Sequence, residues 1–201
     1  MVGRIAITVA AFLMLNGCTK MKPVEFKDQS PVLLIEEYFQ GSTKAWGIFE
    51  DRFGTLRRQF VVEITGTWDG TVLQLDERFQ YSDGETDRRV WRIRKTDDHT
   101  YEGEADDVIG KAKGEAYGNA LNWRYDMDLK VGDGTVRVQF DDWMFLQPSN
   151  VLINRAKVSK FGIEVGSVTL AFIKPEKALH MSGEVLSEWL TVHESARGAI
   201  Q

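Results

Sequence analysis

From Ala45 to Ile173 apolar and polar residues alternate with a period of two, and turn dipeptides separate the runs at regular intervals. Successive side chains of a strand point to opposite faces, so the pattern predicts consecutive antiparallel hairpins, each with one apolar face. The clearest run is Leu121, Trp123, Tyr125, Met127, Leu129 and Val131, interleaved with Asn122, Arg124, Asp126, Asp128 and Lys130. The same reading turns Phe60, Val62 and Ile64 inward on an earlier strand, Leu73, Leu75, Phe79 and Tyr81 on the next, and Arg89, Trp91 and Ile93 on a fourth. Asp69-Gly70, Asp83-Gly84 and Asp133-Gly134 are read as tight turns in which both residues take positive φ. Gly54-Thr55, Asp97-Asp98, Gly118-Asn119, Pro148 to Asn150 and Gly162 mark weaker breaks, which gives about ten strands.

Ten amphipathic strands joined by short turns must bury one common face, and curling the sheet on itself does so while removing exposed edges. The expected fold is mainly β: a single antiparallel meander forming a closed or nearly closed barrel over residues 32–175. Two stacked sheets would share the alternation and differ in closure. Val32 to Phe39 reads as a short helix or a leading strand. Leu186, Trp189, Leu190 and His193 recur at helical spacing, so the 176–201 extension is expected to carry a short amphipathic C-terminal helix over 184–197.

The first residues follow another pattern. Met1 to Arg4 form a short basic start and Ile5 to Leu15 an apolar run too short to span a bilayer stably, as in a signal peptide. Leu15-Asn16-Gly17-Cys18 resembles a bacterial lipobox, which predicts removal of residues 1–17 and a diacylglyceryl thioether on Cys18. Each buried methylene contributes roughly 0.8 kcal/mol, so two or three acyl chains hold a domain on a membrane. Thr19 follows Cys18 where aspartate would favour inner-membrane retention in Gram-negative cells; the expected location is therefore the outer membrane, facing the periplasm. Residues 18–31, rich in Lys, Asp and Pro, read as a polar tether. Cys18 is the only cysteine, which excludes an internal disulfide or a multi-thiolate metal site.

Of the 25 basic residues only Arg4 lies in residues 1–17, so 24 remain against 30 acidic ones, with both signs interspersed. Such a surface is not built for nucleic acid. More informative are polar residues on inward positions: Arg58 before Phe60, Glu77 between Leu75 and Phe79, Arg89 before Trp91, Asp142 between Phe140 and Met144, and Asn154. Isolated charges inside a barrel are costly. They form a salt-bridge network, or Arg58 and Arg89 receive a ligand headgroup, or Glu77 or Asp142 transfers protons. A further anomaly is Val108, Gly110, Ala112, Gly114, Ala116 and Gly118, an inward face made only of small residues. It either faces an aromatic such as Trp91 or Trp123, or leaves a cavity for one apolar ligand.

Enzyme constellations are missing. His99, His180 and His193 are isolated, no Gly-x-Ser-x-Gly elbow or phosphate loop occurs, and adjacent Asp106-Asp107 and Asp141-Asp142 point to opposite faces. No catalytic residue, metal site or cofactor is expected. Trp143, on the outer face beside Asp142, reads as part of a contact patch or as an edge tryptophan under a loop.

EEYFQG at 36–41, AWGIFEDRFG at 45–54, GTWDG at 66–70, DGETDRRVWRIRK at 83–95, YEGEADDVIGKAKGEAYGNALNWRY at 101–125, FDDWM at 140–144 and INRAKVSKFG at 153–162 together resemble the bacterial lipoprotein family called domain of unknown function 3833. The resemblance implies an exported, lipid-anchored, mainly β domain with a lipocalin-like look and no assigned activity. Three classes of function follow. The first is a membrane-anchored carrier of a lipid-like molecule, with Arg58, Glu77, Arg89, Trp91, Gly114, Trp123, Asp142 and Asn154 lining its site. The second is an envelope scaffold with a filled core, and the third an enzyme acting on a lipid or isoprenoid.

Overall fold

The computed structural model describes residues 20–132 and 134–175, the side chain of Val131 apart. Cys18, Asp133 of the third Asp-Gly pair and the expected C-terminal helix lie outside the described residues. Ten strands follow one another in chain order: β1 (Gly41–Asp51), β2 (Leu56–Trp68), β3 (Val72–Tyr81), β4 (Thr86–Lys95), β5 (Thr100–Glu104), β6 (Val108–Tyr117), β7 (Ala120–Val131), β8 (Gly134–Leu146), β9 (Leu152–Lys160) and β10 (Ile163–Ile173). Every neighbour is antiparallel, and β10 pairs with β1 from Lys44 opposite Ile173 to Asp51 opposite Gly166, which closes the barrel. Closure gives the first and last strands, β1 and β10, a second neighbour each, so neither is a sheet edge. Lipocalin barrels have eight strands; with ten, this one is wider, and width decides whether side chains alone can fill the interior.

The inward residues are those the alternation selects. Val62, Ile64, Leu73, Leu75, Trp91, Ile93, Leu121, Trp123 and Met127 are all buried. The turns differ from expectation in one respect: Gly70 and Gly84 have φ of 93° and 88°, but neither Asp69 nor Asp83 has positive φ. Each aspartate instead accepts backbone N–H bonds from the following residues, Asp69 from Thr71 and Val72 and Asp83 from Glu85. Glycine alone takes the left-handed conformation, and the carboxylate holds the loop.

One end of the barrel is plugged. A helical turn, α1 (Ile35–Tyr38), places Leu33, Ile35, Tyr38 and Phe39 under the ends of the strands, all buried. Glu36 goes in with them, bonded to Lys95 Nζ at 2.7 Å and to the Tyr101 hydroxyl at 3.0 Å. Tyr38 donates from its hydroxyl to the carbonyls of Asn150 and Phe172. Val32 to Phe39 is thus a plug and not a leading strand.

The stretch expected to be a tether is, from Lys20 onward, laid along the outer wall. A 3-10 turn, Pro23–Phe26, buries Pro23 and sets the Phe26 ring 6.0 Å from Trp143 and 5.4 Å from Phe145. Leu33 N–H then bonds the Gly118 carbonyl. The aromatic and proline residues scattered among its charges give this segment enough apolar surface to dock. Trp143 is accordingly covered by Phe26, the second of its two readings.

Candidate functional site

Between the plug and the opposite end lies a cavity of about 660 Å³, open at the rim formed by the β1–β2, β3–β4, β7–β8 and β9–β10 turns. That volume falls within the ordinary range for small-molecule sites. Its floor is Ile35 and Phe39 of the plug, and its walls include Phe60, Val62, Ile64, Phe79, Met144, Val168 and Phe172. Ten strands are too many for these side chains to meet across the axis.

The cavity does not lie over the small-residue face of β6. Trp123 leans across that face: a Cβ at Gly114 would collide with its indole ring, and one at Gly103 would fall 2.6 Å from it. Trp91 packs edge-on against Trp123 at 5.7 Å and against Tyr125 at 5.3 Å. Gly114 is therefore not a cavity-lining residue, correcting that expectation; its missing side chain seats a tryptophan from the next strand. Gly110, with φ of 69°, sits exposed in the β6 irregularity, and Gly118 passes beneath the Phe26 carbonyl. Trp91 and Trp123 do line the cavity, as its packed flank.

Both arginines face inward, and both are already partnered. Arg58 sits at the rim, bonded to Asp83 and Glu85 and stacked over the Tyr81 ring at 3.7 Å. Arg89 lies deeper and reaches Asp107 Oδ2 at 2.8 Å and Glu77 Oε2 at 3.8 Å. A charged headgroup between them would have to displace carboxylates. Asp83, Glu85 and Asp107 were missed in the sequence because they belong to turns or loop ends outside the alternating runs.

Asp142 and Asn154 are different. They are 6% and 2% exposed, and both line the cavity. Asp142 Oδ2 accepts a long bond of 3.4 Å from the Tyr125 hydroxyl, whereas Asp142 Oδ1 and Asn154 Nδ2 have no protein partner. Asp142 faces Ala156 across the β8–β9 ladder and Asn154 faces Met144, so the two are diagonal neighbours on one face. Burial pushes the Asp142 carboxyl up to about 8, against the opposing pull of Tyr125 and Arg89. Burial likewise raises Glu77 to about 7, although Arg89 draws it back. Two carboxyl groups whose protonation is favoured by burial thus face a mostly apolar space. Among the described residues no group of His, Cys, Asp and Glu is placed to hold a metal ion.

A closed ten-stranded meander with a plugged end, an open end and a partly polar interior cavity is a β-barrel whose form is compatible with ligand binding. The chain matches the family model described as protein of unknown function (DUF3833) over residues 12–174 and belongs to that family. No curated protein matches it.

Proposed function

We propose that the barrel binds an amphiphilic, lipid-like molecule whose apolar part lies along the Phe60, Phe79 and Val168 walls and whose polar end is an uncharged hydrogen-bonding group. The observation that carries this reading is the unpartnered pair Asp142 Oδ1 and Asn154 Nδ2, buried in the wall of an open, mostly apolar cavity. A buried polar atom without a partner costs about 1–3 kcal/mol, and a ligand that supplies the missing bond recovers it. A hydroxyl can accept from the Asn154 amide and donate to Asp142. Since Arg58 and Arg89 are occupied by carboxylates, the headgroup they were expected to meet is better placed on this pair. An acyl anchor on Cys18, two residues before Lys20 on the barrel wall, would hold the container at the membrane surface that supplies such a molecule.

The test is binding of 1-monooleoylglycerol and oleate to the full chain at neutral pH, followed by displacement of a fluorescent fatty-alcohol probe. The monoglyceride is expected to bind and the anion to bind at least tenfold more weakly. Asn154→Leu should erase that preference. Absence of any binding, or an equal preference for the anion that survives Asn154→Leu, overturns the reading.

A second reading, proton transfer to a bound lipid, is favoured by the elevated Glu77 and Asp142 carboxyls. Turnover of a candidate lipid that survives both Glu77→Gln and Asp142→Asn would remove it.

A further inference from the structure

Around the open rim the surface is divided. On the half formed by the β1–β2 and β9–β10 turns, Phe53 and Phe161 are 80% and 91% exposed, and Leu56 and Ile163 beside them 48% and 60%. The two turns touch: Arg52 N–H bonds the Val165 carbonyl, and Asp51 stands opposite Gly166. A cation lies over each ring, Arg52 at 5.0 Å from Phe53 and Lys160 at 5.4 Å from Phe161. Neither cation makes an ion pair among the described residues. Of the acidic neighbours, Asp51 pairs with Arg57 and Glu164 with Lys157, while Glu50, opposite Leu56, makes no ion pair among the described residues. Across the mouth the β3–β4 turn carries Asp83 and Glu85, which share Arg58 and so keep one net negative charge, and Asp87 at the start of β4 and Asp106 in the β5–β6 turn are exposed as well.

Phe161 is almost wholly exposed, so its ring packs little against the barrel. Its φ of 51° places it in the left-handed region, where asparagine or glycine fits a tight hairpin turn without strain. A bulky ring kept in that conformation and pointed into water has its use outside the barrel. Exposed aromatic tips backed by unpaired cations are the chemistry that meets an anionic lipid surface: the rings enter the headgroup region while the cations meet phosphates.

We infer that the rim half formed by Phe53, Leu56, Phe161 and Ile163, with Arg52 and Lys160, docks on an anionic bilayer, so that the cavity mouth opens against the membrane on a slant. The acidic half of the rim is repelled and stays in water, which sets the tilt. Lys20, two residues after the expected lipidation site Cys18, fits this pose. Lys20 lies 3.6 Å from Asp141 on β8, and Asp141 pairs across the ladder with Lys157 of β9, the strand whose turn bears Phe161. The inference is independent of what the cavity holds.

The experiment reconstitutes the full chain in vesicles of phosphatidylethanolamine and phosphatidylglycerol that contain a phospholipid with a photoreactive acyl chain. Illumination is followed by peptide mapping. Cross-links at residues 52–56 and 160–163 are expected, with several-fold fewer at the 97–99 turn of the plugged end. An R52E/K160E variant, or omission of phosphatidylglycerol, should cut rim cross-linking several-fold, and F53S/F161S should do so without lowering Tm. Rim labelling no higher than at 97–99, or unchanged in R52E/K160E, overturns docking. Labels on wall residues such as Phe60 or Val168 report cavity occupancy, so failure of the docking pose and failure of the binding reading are told apart.

Discussion

Asp142 is the residue at which burial and chemistry oppose each other most directly. Its carboxyl and that of Glu77 titrate higher in the fold than in an unfolded chain, so folding favours their protonated forms. Their contribution to stability is complete below about pH 4 and is lost as pH rises through about 7 for Glu77 and about 8 for Asp142. Tm should therefore fall between about pH 5 and pH 8.5. Asp142→Asn, which keeps the shape and removes the ionisation, should lessen the fall by several degrees in calorimetry at fixed ionic strength. An undiminished fall would assign the pH dependence elsewhere. Gly114 illustrates the limit of reading one strand at a time. Its small face was legible, but the ring that occupies it comes from β7, and a choice between an empty face and a filled one needs the neighbour's rotamer. Gly114→Leu is now expected to overpack Trp123 at a cost of about 1–3 kcal/mol or more, measured by urea unfolding, and to leave lipid binding in the folded fraction unchanged.

At the level of elements, period-two alternation was enough to place the β2, β3, β4 and β7 faces, because one face of every strand is in apolar contact and the other in water. The plug was less legible. Four helical residues have too little periodicity to declare themselves, and Glu36 looks like a surface residue until Lys95 and Tyr101 are brought around it from β4 and β5. Burial by itself would raise the Glu36 carboxyl, but hydrogen bonds from Lys95 and Tyr101 leave it below the usual range. Removing one partner of such a pair strands the other. Lys95→Met should cost roughly 2 kcal/mol and speed amide exchange at residues 35–39, and adding Glu36→Gln should restore much of the loss. Exchange at the plug that is unaffected by Lys95→Met would show that apolar contacts alone hold it. The segment from Lys20 to Pro31 is hard to place from sequence for a related reason: its charges dominate its composition, while Pro23 and Phe26 decide where it goes.

For the whole molecule, strand number decides whether there is an interior at all. Ten strands leave about 660 Å³ that the inward side chains do not fill. If that space is a binding site, narrowing it should abolish binding without harming the wall. Val168→Trp on β10 should exclude 1-monooleoylglycerol, with Tm preserved or raised; retained binding would place the ligand elsewhere. Barrel closure was inferable from the sequence only as the economical way to hide ten apolar faces, and the register that achieves it depends on pairing residues from opposite ends of the chain.

That last pairing has a kinetic side. The first strand of the barrel finds its second neighbour only when the last strand arrives, so its backbone amides on that side wait through the making of everything between. Contacts so distant along a chain form slowly, and a polypeptide halted short of Ile163 would offer an unsatisfied ribbon edge to its neighbours. Truncation before that point should thus produce aggregates in place of a smaller barrel, and molecules that shelter nascent strands should matter more to this protein than its modest length suggests.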